Sequence, residues 1–221
     1  YYTLLRVPLV TCLPLLIAML LNAKVKKQSV FRTIFYIPSI VPVVASSAIW
    51  MYIYNPMYGL LNSIIKSFGG HTHNFIFSPK EVIPSLAVMA VWAAGNRVVI
   101  DMAGLQGVSK ESYEAAEIDG CGKIQTLVRV LIPIVRPAII TSSIFAFYWI
   151  WQDFFQPLIF MSSSTKYTIP LALNMYLDPN SYNNYGGLFA MSVVSLIPIV
   201  VFFIIFQRYL VDGIAMDGIK G

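Results

Sequence analysis

The chain has 221 residues, of which 57% are hydrophobic and only 11% charged, with a mean hydropathy of +0.71. So few charges exclude a disordered chain and an ordinary water-soluble domain. The net charge of +5 does not gather into a nucleic-acid-binding face, because the cations are dispersed over short segments between apolar runs.

A bilayer core of about 30 Å needs about 20 apolar residues. Five segments meet that length, near 7–23, 34–54, 82–106, 138–161 and 187–207. Backbone groups in hydrocarbon must satisfy each other, so all five are expected as helices. The predicted fold class is therefore all-α: a polytopic membrane protein with one membrane domain over residues 1–221. The first span holds Pro8 and Pro14, and its limits are set only loosely by the pattern. The run FRTIFYIPSIVPVV enters the second span through Pro38 and Pro42, which are expected to kink its start. Asn55-Pro56 marks a turn beyond that span. Leu60, Leu61, Ile64, Ile65 and Phe68 then recur at helical spacing, with Asn62, Ser63, Lys66 and Ser67 opposite. This pattern predicts a short helix lying in the membrane interface and ended by Gly69-Gly70. His71 and His73 are read as exposed loop residues, since zinc wants four ligands and no Cys or carboxylate is adjacent before Glu81. In the third span Arg97 and Asp101 stand four apart on one helix face and are placed to pair, although an Arg preceding its acid is the weaker orientation.

Between Ser109 and Pro137 lies a charged island with four acids (Glu111, Glu114, Glu117, Asp119) and four bases (Lys110, Lys123, Arg129, Arg136). Ser109 is the expected N-cap of a helix over 110–119, Gly120 and Gly122 break it, residues 123–131 resume, and Pro133 stops the second helix. A folded, charged helix pair on a membrane face suits docking onto a soluble partner.

The spacing Glu114-Ala115-Ala116, Gly120, Val130-Leu131-Ile132-Pro133 resembles the EAA signature of permease subunits of binding-protein-dependent ABC importers. Asp119, before the glycine, and Pro137 resemble the variant found in carbohydrate importers. FRTIFYIPSIVPVV and NPMYGLLN are similar to the first-type sugar permease. WQDFFQPLIF, KYTIPLAL and FQRYLVDGIAMDGIKG are similar to its second-type partner, as in maltose- and glycerol-phosphate-type importers, so both permease positions stay open. The resemblance implies that residues 109–137 form a cytoplasmic coupling loop, with Tyr113, Glu114, Ala115, Ala116, Asp119, Gly120 and Pro133 engaging a separate ATPase.

In the fourth span Trp149, Gln152, Asp153 and Gln156 follow i, i+3, i+4, i+7 spacing and predict a polar, aromatic stripe. Amide and carboxylate groups bond sugar hydroxyls and an indole suits a sugar ring's apolar face, so the stripe reads as translocation pathway. Interhelical hydrogen bonding is the alternative of equal weight. The loop 162–186 carries Tyr167, Tyr176, Tyr182 and Tyr185, which suit an interfacial aromatic belt. The resemblance adds a second reading, a surface for the binding protein. Gly186, Gly187, Ala190, Ser192, Ser195 and Pro198 mark the last span as one packed closely against a neighbour. Cys12 and Cys121 fall in different regions and are not expected to pair.

Neither a Walker-type phosphate loop nor a metal-ligand cluster occurs in the sequence. The chain is thus read as no enzyme, with no catalytic, cofactor or metal residues. ATP and Mg belong to partner ATPases. Lys24, Lys26, Lys27, Arg32, the four bases of the island, Arg208 and Lys220 oppose only Lys66, Lys80 and Lys166 in the other loops. That asymmetry places the island and the C-terminus in the cytoplasm. Five spans ending inside put residue 1 outside, so a sixth, preceding span is expected, in agreement with the six usual in the family. The implied function is the transmembrane subunit of an ATP-driven importer in the plasma (inner) membrane. It would pass an oligosaccharide-type carbohydrate, working with a second permease, two ATP-binding cassette subunits and an extracytoplasmic solute-binding protein. The alternatives are an ABC permease for a sugar phosphate, peptide or anion, and an ATPase-independent transporter. Five spans without a visible inverted repeat count against the last.

Overall fold

The structure, a computed structural model, describes residues 1–22, 28–177 and 185–218, and these are helix, turn and loop with no strand among them. Lys24, Lys26, Lys27, Tyr182 and Lys220 lie outside the described residues. In chain order the helices are α1 (Tyr2–Asn22), α2 (Gln28–Ile40), α3 (Val43–Ile53), α4 (Leu60–Ser67), α5 (Val82–Trp92) and α6 (Gly95–Gln106). They continue with α7 (Lys110–Ile118), α8 (Lys123–Thr126), α9 (Ile132–Trp151), α10 (Phe155–Phe160), α11 (Ile169–Met175) and α12 (Tyr185–Gly218). Two of them, α1 and α12, are long and apolar enough to cross a membrane unaided. Three bent pairs raise the number of candidate crossings to as many as five.

The bend expected near Pro38 and Pro42 is present, and two further segments bend as well. The α2–α3 pair turns by 99°. Its hinge is Val41-Pro42, where Pro42 has an extended ψ of 141° and offers no N–H to the helix before it. The α5–α6 pair turns by 52° without a proline at the joint. There Gly95 meets the backbone of α2 so closely that a Cβ on it would lie 1.7 Å from the Phe35 carbonyl oxygen. The fourth segment departs most from its expected form. Pro133 does not stop a helix: Lys123–Thr126 passes through a wide π turn, Leu127–Leu131, straight into α9. Pro133 then sits in the first turn of α9, where a proline's missing N–H is tolerated. The axis bends by 56° near Pro137, and α9 ends at Trp151 rather than continuing to residue 161.

Packing centres on α1, which lies against α5, α6 and α9. One cluster joins Val10 with Leu86, Met89, Ala146 and Ile150. A second, toward the other end, joins Ala18 and Leu21 with Val98, Met102 and Leu105. By contrast α12 packs chiefly on α9, with Phe147 stacked on Phe202 at 4.1 Å. Many of its apolar side chains, among them Phe189, Val193, Ile197 and Ile204, are exposed.

The segment NPMYGLLN folds as a knot. Asn55 Oδ1 accepts the amides of Met57 and Tyr58, and Gly59 is so near the Asn55 carbonyl that a Cβ would approach within 2.3 Å. α4 forms as expected, but Asn62 is not on its solvent side. Only 1% exposed, it donates to the His73 carbonyl at 2.8 Å and accepts the His73 amide at 2.9 Å. His71 and His73 are exposed, and among the described residues no group of three or more metal-ligating side chains occurs.

These glycines predict opposite outcomes for one substitution. Gly95→Ala forces α6 away from Phe35 and should cost at least about 1–3 kcal/mol, the usual range for overpacking. Gly104→Ala meets no atom within 4 Å and should be neutral or stabilising by up to about 1 kcal/mol through helix propensity. Thermal unfolding in detergent reads both.

Candidate functional site

Two polar features stand out from the apolar frame: the exposed helix α7 and a line of contacts along α1. Ser109 takes the extended backbone of an N-cap (φ −61°, ψ 144°), but its hydroxyl meets the Ser112 Oγ at 3.1 Å and not a backbone amide. α7 ends in a Schellman turn. The Cys121 amide donates to the Ala116 carbonyl at 2.9 Å and the Gly120 amide to the Glu117 carbonyl at 3.0 Å. Gly120 closes this turn at φ +73°, a conformation that favours glycine.

The seven residues assigned to this region divide by direction. Ala116, 2% exposed, packs inward. The Tyr113 hydroxyl donates to the Leu105 carbonyl at 3.2 Å and accepts from Asn22 Nδ2 at 3.3 Å, tying α7 to the ends of α6 and α1. Glu114, Ala115, Asp119 and Gly120 face outward, with Glu111, Glu117 and Ile118 beside them. Ile118, at 85% exposure, is an apolar group held among acids. Pro133 is also exposed, but it belongs to the start of α9 and not to this face.

The expected stripe Trp149, Gln152, Asp153, Gln156 is not on one helix. α9 ends at Trp151 and α10 begins at Phe155, so Gln152 and Asp153 lie in the break. Pro157 explains it, since its ring and missing N–H oppose helical bonding to the carbonyl of residue 153. That carbonyl instead accepts from Thr168 Oγ1 at 3.3 Å. Asp153 and Gln156 turn inward to a residue that sequence reasoning passed over. Arg6 Nη1 bonds Asp153 Oδ2 at 2.6 Å and Nη2 bonds Gln156 Oε1 at 2.8 Å. The Tyr2 hydroxyl donates to the same Asp153 oxygen at 2.5 Å, and the Arg6 guanidinium lies 4.7 Å from the Tyr2 ring centre. The pair is well buried, with side-chain exposures of 8% and 18%. Trp149 and Gln152 stay outside this network, both exposed, with Trp149 set edge-on to Tyr148. The signal for Arg6 was a single cation in an apolar span, which calls for an anion elsewhere in the membrane.

Arg97 and Asp101 do not form an ion pair within 4 Å. Arg97 reaches across to α1 and α9, donating to the Val10 carbonyl and Thr11 Oγ1 at 3.4 Å each and to the Ser142 carbonyl at 3.3 Å. Val10 lies four residues before Pro14, which has no N–H to offer it, so Arg97 supplies the missing donor.

Asp153→Leu leaves Arg6 buried without its counter-charge and should cost about 3–5 kcal/mol, the range for breaking one side of a buried pair. The double change Arg6→Met with Asp153→Leu removes both charges and should recover most of that loss. Thermal midpoints of the three proteins measure this directly.

Comparison with known proteins places this geometry. Residues 11–216 match the family of binding-protein-dependent transport system inner membrane components. A relative from Halalkalibacterium halodurans, the arabinooligosaccharides transport system permease protein AraQ, is 36% identical over 52% of this chain and 41% of its own length. The trehalose/maltose transport system permease protein MalF of Thermococcus litoralis is 31% identical over 65% and 49%. The arabinooligosaccharides permease protein AraP of Bacillus subtilis is 29% identical over 85% and 62%. The chain thus matches about half the length of these relatives. Among solved structures, a bacterial alginate ABC transporter, in complex with its alginate pentasaccharide-bound periplasmic protein, has a chain of the same fold. Its TM-score is 0.81 at 20% identity, over 94% of this chain and 75% of that one. With nearly its whole length matched, the chain belongs to the family of inner membrane components of binding-protein-dependent transport systems.

Proposed function

We propose that this chain is the membrane-embedded permease of an ATP-driven importer for an oligosaccharide-type carbohydrate, coupled through residues 109–137 to separate ATPase subunits. The outward face of α7 carries the proposal: Glu111, Glu114, Glu117 and Asp119 surround exposed Ile118, while Tyr113 and Ala116 hold the helix to the membrane domain. An acidic face with one apolar peg suits a soluble partner with a cationic-rimmed cleft. Family membership and the names of the relatives, which transport arabinooligosaccharides and trehalose or maltose, support the substrate class.

In this reading a second permease, two ATP-binding cassette subunits and an extracytoplasmic binding protein complete the machine. ATP and Mg act on the cassettes. Their closure moves α7, and α7 rocks the spans between inward- and outward-open states. The chain sits in the plasma (inner) membrane with α7 and the C-terminus cytoplasmic, as the distribution of cations favours. Trp149 and Gln152, free of the Arg6 network, are the residues offered to the translocation pathway.

Glu114→Lys reverses charge on the docking face, and Gly120→Leu puts a branched side chain at φ +73°. Each should leave the spans inserted while lowering ligand-stimulated ATP hydrolysis by the co-purified ATPase at least about tenfold, within the usual range of coupling energies. Stimulated hydrolysis at parental levels in both variants would refute the assignment. In a Cys-free background, cysteines at Ser67 and Thr72 should react with an impermeant reagent from outside, and one at Lys110 only after the membrane is opened. Labelling of position 110 in intact cells would reverse the orientation.

A further inference from the structure

We infer that α1 carries the movement of α7 to the break in the fourth span, through polar contacts at its two ends; the inference rests on the coupling reading above. At one end Asn22 meets Tyr113 of α7. At the other, Tyr2 and Arg6 hold Asp153 and Gln156. Residues 6 and 22 are separated by about 24 Å at 1.5 Å per residue, most of the thickness of a bilayer core.

A helix with a proline in its middle is a poor rod unless its weak point is reinforced. α1 holds two prolines, Pro8 near its start and Pro14 in its middle, and at the second Arg97 of α6 reinforces it by bonding the Val10 carbonyl and Thr11 Oγ1 of α1 together with the Ser142 carbonyl of α9. Only residues 107–109 separate α6 from α7, and Tyr113 bonds the Leu105 carbonyl at the end of α6. α1, α6 and α7 are therefore tied at three levels and move together.

The receiving end has the opposite character. Asp153 lies between α9 and α10, and its carbonyl is held by Thr168. Arg6 and Asp153 separate only at the cost of a lone buried charge, so displacement of one displaces the other. Movement of α1 along its axis thus reaches the break, and through Thr168 it reaches the segment 162–168 that follows α10.

The test uses the complex purified from its native membrane with its own ATPase, in liposomes, with a non-hydrolysable ATP analogue as the trigger. Spin labels on cysteines replacing the exposed Met57 and Ser164 report the position of the 162–168 segment. The analogue should shift the ratio of two distance populations in the parent. Asn22→Ala and Asp153→Asn should each reduce that shift about fivefold or more, and the double variant no further than the worse single one. Sites this far apart that act independently multiply their effects. Multiplied reductions, or singles that lose thermal stability while keeping the full shift, overturn the inference. Should Asp153→Asn fail to assemble, Gln156→Leu removes the second Arg6 contact with the ion pair intact, and the same comparison holds. A full shift in a Glu114→Lys complex defeats the coupling reading itself. Loss of the shift there, with Asn22→Ala and Asp153→Asn at parental levels, leaves coupling standing and removes α1 as its carrier.

Discussion

The structure depends on one constraint: in hydrocarbon, a helix that loses a backbone hydrogen bond must find another donor. The chain contains 13 prolines, and several fall inside apolar helices. Two of the orphaned carbonyls are met by side chains from elsewhere in the fold. Arg97 serves Val10, orphaned by Pro14, and Thr168 serves Asp153, orphaned by Pro157. Trp151 adds a contact of another kind near Pro198, donating its indole N–H to the Ser195 carbonyl at 3.2 Å, whereas the carbonyl that Pro198 orphans is that of Val194. Both repairs cross between elements, so at Pro14 and Pro157 the proline that weakens a helix also fastens it to a neighbour.

The polar residues of the spans follow from that economy. An intramembrane Arg is costly when isolated, on the order of 3 kcal/mol even on lenient insertion scales. Here neither Arg6 nor Arg97 is isolated. Arg6 finds a carboxylate and an amide, and Arg97 finds two carbonyls and a hydroxyl. Charge inside this protein is used to join helices. Among the outward-facing charges are the acids of α7, where a Schellman turn and the Tyr113 hydroxyl fix the helix without drawing on those acids.

Local pattern carried much of the architecture. Apolar run lengths marked the segments that hold up to five candidate crossings, Pro42 the bend between α2 and α3, and Gly120 the left-handed turn. Features whose cause lies between distant residues escaped it. Arg97 and Asp101 satisfy i, i+4 spacing, but Pro14, on another helix, creates a better acceptor for Arg97 than its own neighbour does. Asn62 alternates correctly for a solvent face, yet the His73 backbone draws it inward. The stripe from Trp149 to Gln156 assumed helical continuity that Pro157 interrupts. Pro133 carries the compositional mark of a stop, because the π turn before it, which lets the helix continue, leaves no compositional trace.

Arg6 and Asp153 lie 147 residues apart in the chain. During synthesis at about 5–20 residues per second, the cation precedes its counter-ion by roughly 7 to 30 s. For that interval α1 must stay in the bilayer on its apolar residues alone, or keep its first turn near the headgroups. Membrane integration of this protein therefore has a late, order-dependent step, in which the arrival of the fourth span completes the anchoring of the first.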